Sequence, residues 1–259
     1  MVRPVVLSTV LRHDRTLVLA GLVAVIVLSW VWLMTGAGLK MDEMDMGGGR
    51  IMLMAPPWTV QYAAMIFLMW VIMMAAMMLP SAAPAILLVI ALTKQRGEQR
   101  AKRASGEFAF GYVAVWGAFS LIATGLQWGL DRAGLLSENM ASGSVVLAAF
   151  LLFAAGVYQL TPWKQACLRH CRSPMEFLTR YWRQGPLGPM RAGAWHGAFC
   201  LGCCWMLMGL LFVGGLMNLI WIAGLALLVL IEKLFPLGPR VSQLTGVALI
   251  GWGAFVLVH

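Results

Sequence analysis

The most constraining feature of this chain is a succession of apolar runs, each about twenty residues long and divided by short stretches that hold most of the charge. Wound as a helix, a run of that length spans the roughly 30 Å hydrocarbon core of a bilayer. Inside that core a helix is the simplest structure that satisfies its own backbone. Composition agrees, since 61% of the 259 residues are hydrophobic and 11% are charged, against about 25% charged in a soluble domain. An ordinary soluble enzyme is excluded. The pattern predicts an all-α polytopic membrane protein forming one helical-bundle domain over residues 1–259. Seven spans are expected near Leu17–Met34, Trp58–Leu92, Phe108–Leu130, Ser144–Leu160, Ala192–Val213, Met217–Ile231 and Val241–Val258.

The net charge of +9 calls for a membrane reading before a nucleic-acid one. Of the 19 basic residues, all but Lys40, Arg50 and Arg132 fall on one side of the seven crossings. The positive-inside rule then places the amino terminus in the cytoplasm and His259 in the periplasm of a bacterial inner membrane. The basic loops suit anionic lipid, so the expected partner is the bilayer and not nucleic acid. The first span reads as an anchor and not a cleaved signal, because no small-x-small site follows it.

The second span is long, about 52 Å at 1.5 Å per residue, and contains Pro80 and Pro84. Each proline removes a helix hydrogen bond, which predicts a kink or an unwound turn. Gly214 and Gly215 predict a tight hairpin between the fifth and sixth spans. Gly125/Gly129 and Gly193/Gly197 have the spacing that lets helices approach closely.

The five cysteines form two groups, Cys167 with Cys171, and Cys200 with Cys203 and Cys204. On a helix, His196, Cys200, Cys203 and Cys204 share an arc of about 100°. An imidazole and thiolates on one face suit a soft metal, Cu(I) first and zinc as the alternative. The competing reading is that cysteine is simply a small buried hydrophobe. Four candidate ligands on one face favour the metal. If the fourth helix continues through Lys164–Pro174, Cys167 and Cys171 share a face near the cytoplasmic surface. Lys164, Arg169 and Arg172 would then favour thiolate there. A structural disulfide is not expected on that reducing side.

Nineteen methionines are also present, concentrated early. Met41, Met44 and Met46 alternate with acidic residues in the external loop and suit capture of a soft cation. Met65, Met69, Met73 and Met77 follow at i+4 steps on the second helix, where a relay competes with ordinary packing. That series drifts around the helix, and Met74 and Met78 fall on its far side, where packing is expected. Glu232, a charge in an apolar span, is a functional candidate, although Lys233 beside it offers a ready partner.

Met73-Met74-Ala75-Ala76-Met77-Met78-Leu79-Pro80-Ser81, Cys167-Leu168-Arg169-His170-Cys171-Arg172-Ser173-Pro174, Ala194-Trp195-His196-Gly197 through Cys203-Cys204-Trp205, and Glu232-Lys233-Leu234 together resemble a family of bacterial integral membrane proteins. That family is described as predicted metal-binding and otherwise of unknown function. The resemblance runs from the second to the sixth span and implies that the clustered residues form a shared site. It implies neither a particular metal nor a reaction.

The residues point to an inner-membrane protein that binds copper and moves or delivers it. Met41, Met44 and Met46 would capture; Met65, Met69, Met73 and Met77 relay; His196, Cys200, Cys203 and Cys204 hold; Cys167 and Cys171 hand over. A periplasmic or cytoplasmic metal chaperone, or a membrane enzyme complex, is the expected protein partner. Two other readings stay open. One is a thiol-disulfide oxidoreductase pairing Cys200–Cys203 with Cys167/Cys171. The other is a metal-binding accessory subunit of a larger complex.

Overall fold

A computed structural model describes residues 4–36, 42–45, 51–54, 57–94, 97–137, 140–183, 185 and 187–258. The described chain is helical apart from one short hairpin. In order, the elements are α1 (Pro4–Met34), β1 (Asp42–Asp45), β2 (Ile51–Met54), α2 (Val60–Thr93), α3 (Glu98–Arg132), α4 (Val145–Leu160), α5 (Pro162–Arg172), α6 (Pro174–Tyr181), α7 (Gly188–Gly209), α8 (Leu211–Gly214), α9 (Leu219–Leu234) and α10 (Gly238–Val258). The strands pair antiparallel, with Met44 opposite Met52. The acidic-Met loop is therefore a hairpin at Met44, while Met41 and Met46 lie outside the described residues.

Four helical stretches are long and apolar enough to cross a membrane: Val60–Thr93, Gln99–Arg132, Gly188–Gly214 and Gly238–Val258. The α4–α5 pair is a fifth if taken as one broken span, and Val18–Met34 is apolar but shorter. At 16 residues, α9 reaches only about 24 Å. Large apolar side chains such as Val60, Ile220 and Leu244 face outward, while Gln159, Lys164, Glu232 and Lys233 are buried. An apolar exterior around a partly polar interior is the pattern expected of a bundle in lipid.

Local sequence explains where the helices start. Thr59, Ser144, Thr161 and Asn218 each cap a helix by accepting a backbone N–H three residues on. Thr161 does more. Pro162 has no N–H and disfavours helical backbone at the residue before it, so Thr161 is extended and the chain turns by 66° between α4 and α5. The fourth helix thus does not continue straight through the first cysteine group. The turn lays α5 against α7.

The prolines of α2 behave differently. Helical backbone continues through Pro80 and Pro84 from Val60 to Thr93, so the expected unwound turn is not formed. Hydroxyls supply local hydrogen bonds there: Ser81 Oγ donates to the Met78 carbonyl at 2.8 Å and Tyr112 Oη donates to the same oxygen at 3.1 Å.

Two glycine seams hold the bundle tight. A Cβ at Gly193 would lie 2.0 Å from the Phe108 carbonyl oxygen, and one at Gly111 would lie 2.1 Å from that of Met190. The backbones of α3 and α7 therefore touch, with Gly197 continuing the contact at Tyr112. Gly156 and Gly246 form a similar seam between α4 and α10. Gly125 and Gly129, by contrast, have open space where a Cβ would stand, so the close approach expected from their spacing is not made there. Gly193→Ala should cost about 1–3 kcal/mol by forcing the helices apart. Gly125→Ala should be neutral or slightly stabilising, because alanine is the better helix former. Unfolding midpoints in detergent compare the two directly.

Candidate metal centre

The tight α3–α7 contact positions the second cysteine group. His196, Cys200, Cys203 and Cys204 are all buried on α7, on the side that meets α2, α3, α5 and α9. Cys203 and Cys204 both donate from Sγ to the Cys200 carbonyl oxygen at 3.0 Å. Adjacent residues thus send both thiols to one carbonyl oxygen. Cys204 Sγ lies 4.0 Å from Met78 Sδ on α2. Cys200 Sγ lies 2.9 Å from the Tyr112 hydroxyl on α3 and 2.8 Å from Lys233 Nζ on α9.

The first cysteine group joins this assembly through α5. The Cys171 side chain interacts with those of Cys200 and Cys203. Cys167 packs where a Cβ at Gly202 would come within 2.9 Å of its Sγ, and the Tyr158 hydroxyl donates to the Gly202 carbonyl. All five cysteines are free. Two groups that are distant in sequence are therefore neighbours across the α5–α7 contact. His170 strengthens the same α5–α7 contact by stacking its ring on Phe199 at 4.2 Å, while its Nδ1 bonds the Ala166 carbonyl.

His196 sits one turn before Cys200, packed among the rings of Phe108, Tyr112 and Phe177. Its Nδ1 is buried and has no hydrogen-bond partner. An orphaned imidazole nitrogen on the same helix face as the thiols suits a soft ion, because neutral nitrogen and sulfur donors bind Cu(I) well and hard cations poorly. Among the described residues, no three His, Cys, Asp or Glu side chains already stand in an arrangement that would hold a metal. The thiols are occupied instead, by the Cys200 carbonyl, by Tyr112 and by Lys233. Holding an ion requires their release from these bonds, with Met78 as an additional donor.

The methionines of α2 divide by burial. Met69, Met73, Met74, Met77 and Met78 are buried, whereas Met65 is 39% exposed. Met78 is the one whose sulfur lies against a cysteine thiol, although the helical angles had assigned it to packing. Met73 and Met77 belong to the same buried core.

The charges also pair differently from the sequence expectation. Glu232 does not pair with Lys233. Its Oε2 accepts from Lys164 Nζ at 2.7 Å and its Oε1 from Gln159 Nε2 at 2.8 Å, and both charged side chains of that ion pair are almost fully buried. Arg172 donates to the carbonyls of Glu232, Phe235 and Pro236, closing the carboxyl end of α9. Lys164 and Arg172 therefore fasten α5 to α9 and do not face the cysteines. Lys233 does, and the tendency of neighbouring helical charges to be read as partners concealed it. Glu232→Gln should lower stability by about 3–5 kcal/mol by stranding the buried Lys164 ammonium. Adding Lys164→Met to it should restore most of that loss, which thermal unfolding of the single and double variants in detergent measures.

A family model described as copper chaperone (PpoB2) matches residues 67–256. The match begins within α2 and ends within α10, and takes in every cysteine, His196, Met78 and Lys233. No curated protein and no solved structure matches the chain. The family's description agrees with the soft donors gathered around α7 and suggests copper. Since the matched stretch covers most of its length, the chain belongs to the copper chaperone family.

Proposed function

We propose that this protein holds Cu(I) within the membrane at the sulfur cluster of α2, α5 and α7, and passes it on to a partner. The observation that carries this reading is the convergence of Cys171, Cys200, Cys203, Cys204 and Met78, one turn of α7 from a His196 whose Nδ1 has no partner. Soft donors in that number, four of the five buried, retain a monovalent soft ion and exclude competing hard cations.

Seven crossings of a bacterial inner membrane, amino terminus inside, fit the charge distribution. In that orientation the acidic-Met hairpin is periplasmic and gathers the ion. The buried methionines from Met69 to Met78 lie between the hairpin and the thiols in the chain, and supply neutral donors on the way. Cys167 and Cys171, on the bent helix α5, are the exchange point toward the cytoplasmic side. Ligand exchange between thiolates moves Cu(I) without a change of oxidation state, so the reading needs no redox partner. Delivery to a copper chaperone or to a membrane enzyme complex would use the same exchange.

Anaerobic loading of the purified protein with Cu(I), read by mass spectrometry of bound metal, tests the proposal. Wild type should retain near-stoichiometric copper and Cys200→Ser/Cys203→Ser should lose most of it, with both proteins folded. A wild type that stays metal-free while its thiols cycle reversibly to disulfides would replace this reading with the oxidoreductase.

A further inference from the structure

Lys233 is buried at the centre of the sulfur cluster. Its Nζ lies 2.8 Å from Cys200 Sγ, 3.4 Å from Ser81 Oγ, 3.8 Å from Met78 Sδ and 4.0 Å from Cys204 Sγ. No carboxylate answers it among the described residues, because Glu232 is committed to Lys164. The other groups around it, the Tyr112 hydroxyl among them, are neutral unless a thiol ionises. A buried ammonium without a fixed anion is costly, so its retention here calls for an anion that forms at this place.

We propose that Lys233 is the built-in counter-charge of the thiolate site and sets its preference for a monovalent soft cation over a divalent one. The proposal rests on the reading of the cluster as a Cu(I) site. Cu(I) held by two deprotonated thiols, with any number of neutral donors such as Met78 or His196, forms a complex with one net negative charge. The Lys233 ammonium cancels that charge, and the assembly is neutral. A divalent ion on the same two thiolates is already neutral, and Lys233 then leaves the buried site with an uncancelled positive charge. In a low-dielectric interior such a residual charge is strongly unfavourable. Ligand softness alone does not separate Cu(I) from Cd(II) or Zn(II), which thiolates also bind; the ammonium supplies the missing discrimination. Because the pairing is electrostatic, arginine in place of lysine should preserve it.

The test is competition titration of the full-length protein in detergent, without oxygen, using Cu(I), Ag(I) and Cd(II) as separate probes. Lys233→Met should weaken Cu(I) and Ag(I) by at least about tenfold while leaving Cd(II) unchanged or tighter, whereas Lys233→Arg should keep the wild-type ratio. An unchanged ratio of Ag(I) to Cd(II) affinity in Lys233→Met would overturn the proposal, as would an equal loss of both. Wild type alone gives a second measurement, should the methionine variant not fold. Its Ag(I)-to-Cd(II) ratio should exceed that of a free dithiol in water by at least about tenfold, and a ratio no greater than the dithiol's would also overturn it. Failure of the copper reading itself looks different: wild type then takes up neither Cu(I) nor Ag(I).

Discussion

A carboxylate and an ammonium on consecutive helical residues stand about 100° apart and cannot easily face each other. On α9, Glu232 and Lys233 are both buried, so each must find its answer on a different helix. Glu232 finds Lys164 on α5, with Gln159 on α4 completing the contact. That bond, together with the Arg172 cap on the end of α9, ties the bent helix α5 to the bundle. It brings Cys167 and Cys171 to α7. Lys233 turns the other way, into the thiols. One pair of adjacent residues thus both builds the wall of the candidate site and charges its interior.

The close approach of α3 and α7 has a related consequence. With no side chain at Gly111 or Gly193, the two backbones meet, and Tyr112 reaches both Cys200 and the Met78 carbonyl. The tyrosine therefore links three helices at the level of the sulfur atoms. Rigid neighbours of this kind hold soft donors near one another without a bound ion. Cys203 and Cys204 also bond the Cys200 carbonyl, and a metal must compete with those bonds. That competition is modest in scale, since a neutral hydrogen bond contributes about 1 kcal/mol net.

Periodicity and spacing made much of this legible. Apolar run length indicated the long helices α2, α3, α7 and α10, and 3.6-residue geometry placed His196, Cys200, Cys203 and Cys204 on one buried face. Relations between helices were not legible. Nothing in the local pattern says that α4 and α5 turn by 66° until the Thr161-Pro162 step is read as a cap and a break. Met78 lay on the wrong side of a ladder drawn for one helix, yet the right side for a neighbour at α7. Lys233 was hidden by proximity in sequence to Glu232. The expected contact at Gly125 and Gly129 failed for the same reason, since small-residue spacing indicates that a helix can approach closely but not which partner arrives.

Membership of the copper chaperone family suggests copper, and the proposed function binds it through sulfur. X-ray absorption at the copper edge on the Cu(I)-loaded protein tests that claim most directly, because it reads the atoms bound to the metal. Wild type should show copper coordinated mainly by sulfur, with sulfur lost in Cys200→Ser. Coordination by nitrogen and oxygen alone, or coordination that Cys200→Ser leaves untouched, would contradict the claim.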